Sequence, residues 1–129
     1  MDYSMKQVSQ MTGLTPHTLR YYEKEGLLPD VHRTLSGIRR FSQEDIDGLG
    51  LICCLKSTGM SIKQIREFVE LSMQGDCTLK SRCDMLRLHK CHVEEEISQM
   101  QQHLQKVTHK IAYFTSKYEA LQEASQQGA

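Results

Sequence analysis

From Cys77 to Ala124 the chain contains neither glycine nor proline, and its apolar residues recur every seven positions. Ile97, Leu104, Ile111 and Tyr118 form one series, and Met100, Val107, Phe114 and Leu121 a second, offset by three. On an α-helix both series fall on one stripe, the a and d positions of a coiled coil. Carried back toward the amino end, the stripe meets Val93, Lys90, Leu86, Cys83 and Leu79. A helix of about 45 residues is roughly 67 Å long at 1.5 Å per residue. Such a helix cannot hide its stripe in a small head, so the stripe needs a partner, and a second copy is the simplest one. Folding back as a hairpin would need a breaker, and none is present. Composition agrees with a small head plus a long helix: the 129 residues are 39 % hydrophobic and 25 % charged, with 6 % aromatics and no Trp. These are ordinary values for a folded chain but thin material for one large core.

The segment before the long helix is punctuated. Ser4 can cap a helix from Met5 to about Met11, stopped by Gly13, with Val8 and Met11 as its apolar stripe. Thr15 caps a second helix, with Pro16 at the first helical position, where a missing N–H costs nothing. That helix runs to about Glu25 and ends at Gly26. Two short helices around a glycine turn are a helix-turn-helix pattern. Val31-His32-Arg33 and Ile38-Arg39-Arg40-Phe41 then read as a small hairpin, or wing, around Thr34-Leu35-Ser36-Gly37. Ser42 with Asp45 starts a third helix carrying Ile46, Leu49, Ile52 and Leu55, closed by Gly59. Ser61 and Gln64 form a capping box for a fourth, with Ile62, Ile65, Phe68, Val69 and Leu71 apolar, ending at Gly75. The expected architecture is therefore mainly α: a winged helix-turn-helix head over 1–75, a coiled-coil dimerisation helix over 76–124, and a disordered tail over 125–129.

Formal net charge is zero, but its distribution is uneven. Residues 1–42 carry six basic groups against four acidic ones, 43–75 three against five, and the remainder seven against seven. The positive excess lies at the amino end, where a phosphate-facing surface would be. No basic region followed by an apolar core opens the chain, and the apolar stretch around Leu49–Leu55 is too short to span a bilayer. The expected location is the cytoplasm, without membrane contact. Five cysteines, an odd number, in a reducing compartment argue for free thiols, metal ligands or redox-reactive groups rather than disulfides. No glycine-rich phosphate loop, nucleophile elbow or paired-carboxylate cleft is recognisable, so no enzyme and no cofactor is expected.

One face of the second helix offers Thr15, His17, Thr18, Arg20 and Tyr21, the donors and acceptors suited to base edges and phosphates in a major groove. Leu19 and Tyr22 point toward the core. A solvated helix face is the bland alternative on composition alone. The run Thr15-Pro-His-Thr-Leu-Arg-Tyr-Tyr-Glu23, then Gly26-Leu-Leu-Pro29 and Gly37-Ile-Arg39-Arg-Phe41, followed by Asp45-Ile46 and Gly59-Met-Ser61-Ile62, resembles the DNA-binding signature of the MerR family. The likeness is close over roughly residues 3–72 and generic over the long helix.

The resemblance implies specific roles. The second helix enters the major groove, with His17, Thr18 and Arg20 at or near bases and phosphates and Tyr21 on the backbone. Arg33 and Arg39 of the wing grip phosphates toward the flanking minor groove. Ser61 and Lys63 offer backbone N–H groups or charge to phosphate at the start of the fourth helix. Family members are two-fold dimers joined by an antiparallel coiled coil. The expected partners are thus a second copy, an inverted-repeat operator in double-stranded DNA, and RNA polymerase at a distorted promoter, activated in a stress response. Half-sites would be set by the helical turn, about 34 Å. A coiled-coil adaptor whose head binds protein is the alternative of another class.

Many members of this family carry a ligand-binding domain after the long helix, whereas here only Gln-Glu-Ala-Ser-Gln-Gln-Gly-Ala follows the seam. The signal is then expected at a cysteine. Cys54, in Ile52-Cys-Cys-Leu-Lys56, resembles the cysteine of the aldehyde-responsive branch, where alkylation or oxidation would be the signal. Lys56 and Arg66 are the candidate cations that would favour its thiolate. Cys53 is read as packing. An inert buried cysteine is the ordinary alternative. Metal sensing is the rival: Cys77 and Cys83, with His89, Cys91 and His92 nearby, would suit zinc or copper. Yet Cys77 and Cys83 do not share a helix face, and no cysteine follows Cys91.

Overall fold

The computed structural model describes residues 2–28 and 31–128. In chain order they form α1 (Met5–Thr12), α2 (Pro16–Lys24), β1 (His32–Arg33), β2 (Arg39–Arg40), α3 (Gln43–Ser57), α4 (Ile62–Met73), a 3-10 turn (Asp76–Thr78) and α5 (Leu79–Gln127). Two compact units result, Met1–His89 and Lys90–Ala129. Pro29 of the motif, and Asp30 beside it, lie outside the described residues, as does Ala129.

In the first unit the helix starts follow from local chemistry. Ser4, Ser42 and Ser61 each accept the N–H three residues on, while the side chains of Gln7, Asp45 and Gln64 accept the cap's own N–H. These boxes satisfy amides that no helical carbonyl can reach. α1 ends at Gly13, whose φ of 75° supplies the left-handed turn into α2.

The core collects the apolar stripes of the first four helices: Val8 from α1, Leu19 and Tyr22 from α2, Leu49, Ile52 and Leu55 from α3, and Ile65, Phe68 and Val69 from α4. Leu27, Leu28, Phe41 and Met60 complete it from the connections, and Leu86 of α5 packs against it. Ile46 and Ile62 are only half-buried at its edge.

Two features depart from the sequence expectation. The wing strands are two residues each, shorter than expected, with His32 opposite Arg40 and Arg33 opposite Arg39. Phe41 pairs instead with Tyr3, through Tyr3 N–H to Phe41 O at 2.6 Å and Phe41 N–H to Tyr3 O at 2.8 Å. The segment before α1 thus joins the wing as a third, single-residue rung. The second departure is α5, which continues through Gln127, so the tail expected from residue 125 is helical over its first three residues. Nothing in that stretch breaks a helix before Gly128.

In the second unit the seam residues Ile97, Met100, Leu104, Val107, Ile111, Phe114, Tyr118 and Leu121 are each 52–70 % exposed. Among the described residues of this unit nothing covers that stripe. No helix among the described residues is long and apolar enough to cross a membrane.

Candidate nucleic-acid interface

α2 begins at Thr15, whose Oγ1 accepts the Thr18 N–H at 3.1 Å and lies 3.0 Å from the Thr18 hydroxyl. With Leu19 and Tyr22 buried, helical spacing turns Thr15, His17 and Arg20 outward, and Thr18 is half-buried beside them. The tyrosine pair divides the same way: Tyr21 is 40 % exposed and Tyr22 only 5 %. Lys56, reaching over from α3, sets its ammonium 4.8 Å from the Tyr22 ring centroid and 5.8 Å from that of Tyr21. This cation–π contact ties the helix to the head from behind its polar face.

The wing is held against the same helix. Its loop closes through Thr34 N–H to Ile38 O (2.8 Å) and Gly37 N–H to Thr34 O (2.9 Å), with Gly37 at φ 84°. One carboxylate of α2 serves both strands. Arg33 donates from a terminal nitrogen to Glu23 Oε1 at 2.8 Å, and Arg39 donates from Nε to Glu23 Oε2 at 2.6 Å. The other terminal nitrogen of Arg33 donates to Gly37 O at 3.2 Å. Arg39 therefore meets Glu23 through Nε, whereas Arg33 commits both ends of its fork inside the head.

A second brace fixes the carboxyl end of α2. Arg66 of α4 donates from Nε to Glu25 O at 2.7 Å and from a terminal nitrogen to Glu25 Oε2 at 3.2 Å. Its stem lies over Gly26, where a Cβ would stand 3.5 Å from Arg66 Cγ and where φ is 74°. Glu23, Glu25 and Arg66 had no place in the expected site as bracing residues. Their partners lie 10, 16 and 41 positions away, beyond any local spacing rule.

At the start of α4, Ser61 and Lys63 are exposed as expected. The Ser61 N–H itself is taken by Gln64 Oε1 at 3.3 Å. The donors left for an anion are the first-turn amides of Ile62 and Lys63, together with the Lys63 ammonium.

The cleft of about 550 Å³ between α3 and α4 has the wrong charge for phosphate. Glu44, Asp45 and Asp47 line it beside Leu51, Phe68 and Met73. With Arg82 the one cation in its lining, that cleft disfavours a polyanion, unlike the outward face of α2 with Arg20 and the start of α4 with Lys63.

The five cysteines are all free: Cys54, Cys77, Cys83 and Cys91 are exposed and Cys53 is half-buried. Burial pushes the Cys53 thiol above its ordinary pKa, with the Lys56 ammonium pulling the other way. The cations expected beside Cys54 have other engagements, Arg66 with Glu25 and Lys56 over the tyrosine rings. The Cys54 carbonyl accepts the Thr58 hydroxyl at 2.7 Å, and that hydroxyl also meets His89 Nε2 at 2.7 Å. Cys77 points its thiol at Gln74 O, 3.6 Å away. Among the described residues no three His, Cys, Asp or Glu side chains converge to hold a metal ion.

The comparisons with known proteins agree with this geometry. Residues 3–71 match the family model described as MerR HTH family regulatory protein, and residues 46–110 the one described as MerR, DNA binding. An uncharacterized HTH-type transcriptional regulator of Haemophilus influenzae is 37 % identical over 114 residues, covering 88 % of this chain and 84 % of its own length. AdhR, an HTH-type transcriptional regulator of Bacillus subtilis, is 42 % identical over 83 residues, covering 64 % of this chain and 59 % of that protein. The crystal structure of HiNmlR, a MerR family regulator lacking the sensor domain and bound to promoter DNA, superposes with a TM-score of 0.81 at 35 % identity, covering 100 % of this chain and 97 % of that one. With a winged helix-turn-helix head of this geometry and these relatives, the chain belongs to the MerR family and is a DNA-binding transcriptional regulator, not an enzyme.

Proposed function

We propose that the protein works as a two-fold dimer that distorts promoter DNA and reads a reactive electrophile at Cys54. The outward face of α2 supplies the readout: His17, Thr18 and Arg20 at bases and phosphates, Thr15 and Tyr21 on the backbone. Arg39 serves flanking phosphates, held in place together with Arg33, whose fork is engaged within the head, and Ser61 and Lys63 serve them at the start of α4. Pairing uses the a/d stripe of α5, whose exposed large side chains would otherwise stand in water. Two heads on a two-fold axis require an inverted-repeat operator. Bending it costs on the order of 1–6 kcal/mol, offset by additional phosphate contacts, and RNA polymerase engages the reshaped promoter.

The observation that carries the sensor assignment is the exposure of Cys54 on α3, beside a half-buried Cys53 whose thiol burial pushes above its ordinary pKa. Of the adjacent pair, Cys54 is the one an aldehyde reaches. Its thiolate adds to the carbonyl carbon, and the carbonyl oxygen takes a proton. In vitro transcription from the promoter upstream of the protein's own gene tests this, with wild type and Cys54→Ser each given formaldehyde, an oxidant and Zn²⁺. Induction by the electrophile in wild type alone supports the assignment. An equal response of both proteins, or a response to Zn²⁺ only, refutes it and moves the search to Cys77 and Cys83.

A further inference from the structure

We infer that Glu23 is a positioning residue for DNA binding: its carboxylate neutralises two opposed wing arginines and so holds the wing in its DNA-competent place on α2. Arg33 and Arg39 are directly opposite each other in the antiparallel pair. Like charges at opposed positions push a two-stranded ribbon apart, and here the paired strands are only two residues long. Glu23 lies on α2, outside the ribbon, and splits its two oxygens between them, Oε1 to Arg33 at 2.8 Å and Oε2 to Arg39 at 2.6 Å. Arg33 passes the constraint outward by donating to the carbonyl of Gly37 at 3.2 Å, at the turn of the wing. The Glu23 side chain is 23 % exposed and that of Arg39 25 %, so this pair is screened less than a fully exposed one, while Arg33 at 42 % stands more in water.

The inference runs against simple electrostatics. Glu23 is a negative charge on the helix assigned to DNA, and long-range Coulomb repulsion alone says that removing it should tighten binding. Positioning says the reverse. Without Glu23 the two guanidinium groups face each other with no counterion, the wing swings away from α2, and the phosphate contact of Arg39 is lost.

The test is equilibrium binding of the full chain to a duplex that wild type selects from a random-sequence pool, across a range of salt. Glu23→Gln is expected to weaken binding tenfold or more, and to flatten the slope of log affinity against log salt by about one per chain for the lost phosphate contact. Adding Arg33→Gln to Glu23→Gln removes one of the two opposed cations, and should restore part of the affinity that Glu23→Gln alone loses. Recovery in the double variant is an outcome that mere misfolding of the head would not give. Binding of Glu23→Gln as tight as wild type or tighter overturns the inference, as does a double variant whose losses simply add. Should Glu23→Gln melt at room temperature, the same cycle is run with Glu23→Asp, and the same two outcomes decide it. None of these readouts uses Cys54, so they stand apart from the fate of the sensor assignment.

Discussion

Arg20 and Tyr22 differ by two positions and by almost everything else: the helical turn that buries Tyr22 leaves Arg20 in solvent. Arg20→Ala should therefore leave the fold intact and weaken operator binding by about 1–3 kcal/mol, the worth of a good base contact. A binding isotherm and a footprint unchanged from wild type would remove Arg20 from the interface. The cysteine pair gives a second prediction at this scale. With burial raising the Cys53 pKa, its thiolate fraction at any given pH is smaller than that of an ordinary thiol. In a chain whose other four cysteines are replaced by Ser, labelling of Cys53 by iodoacetamide should have its pH midpoint above that of a free thiol. A midpoint at or below the free-thiol value would show that the Lys56 charge outweighs burial. The sign matters for folding too: a thiol whose pKa is raised in the native state stabilises it below the unfolded thiol pKa, and that contribution fades as pH climbs past it.

The elements were largely legible because each start carries its own chemistry. Ser42 with Asp45 and Ser61 with Gln64 announce α3 and α4, and Thr15 with Pro16 announces α2. The candidate face of α2 was legible for the same reason, since 3.6-residue spacing sorts Leu19 and Tyr22 from His17 and Arg20. What could not be read was how the elements are fastened together. The rung between Tyr3 and Phe41, the Glu23 fork, and the hold of Arg66 on Glu25 all join positions that only the folded chain brings near. The joint between α4 and α5 is of this kind. Thr78, 6 % exposed, shares its hydroxyl proton between Leu71 O (2.6 Å) and Gly75 O (2.8 Å) and accepts from Arg82 Nε at 3.0 Å. Thr78→Val keeps the shape but strands these groups, and should destabilise the head by about 1–3 kcal/mol. A thermal melt superimposable on wild type would mean that water replaces the hydroxyl without cost.

At the scale of the whole molecule, a seam of eight large side chains, each at least half exposed, needs an occupant. The reading of α5 as a pairing element predicts that a chain lacking residues from Ile97 onward sediments as a monomer and loses tight binding, because one head alone must hold DNA without the other's contribution. A truncated chain that still sediments as a dimer would place the interface elsewhere. Whether two such heads read one two-fold operator together is decided by the stoichiometry and strength of binding to the selected inverted-repeat duplex and to a duplex carrying one half-site. Expected are two chains per inverted repeat, a log affinity that falls linearly with the logarithm of salt, and a loss of about a hundredfold or more on the half-site. One chain per inverted repeat, or equal affinity for the two duplexes, would contradict joint reading by two heads.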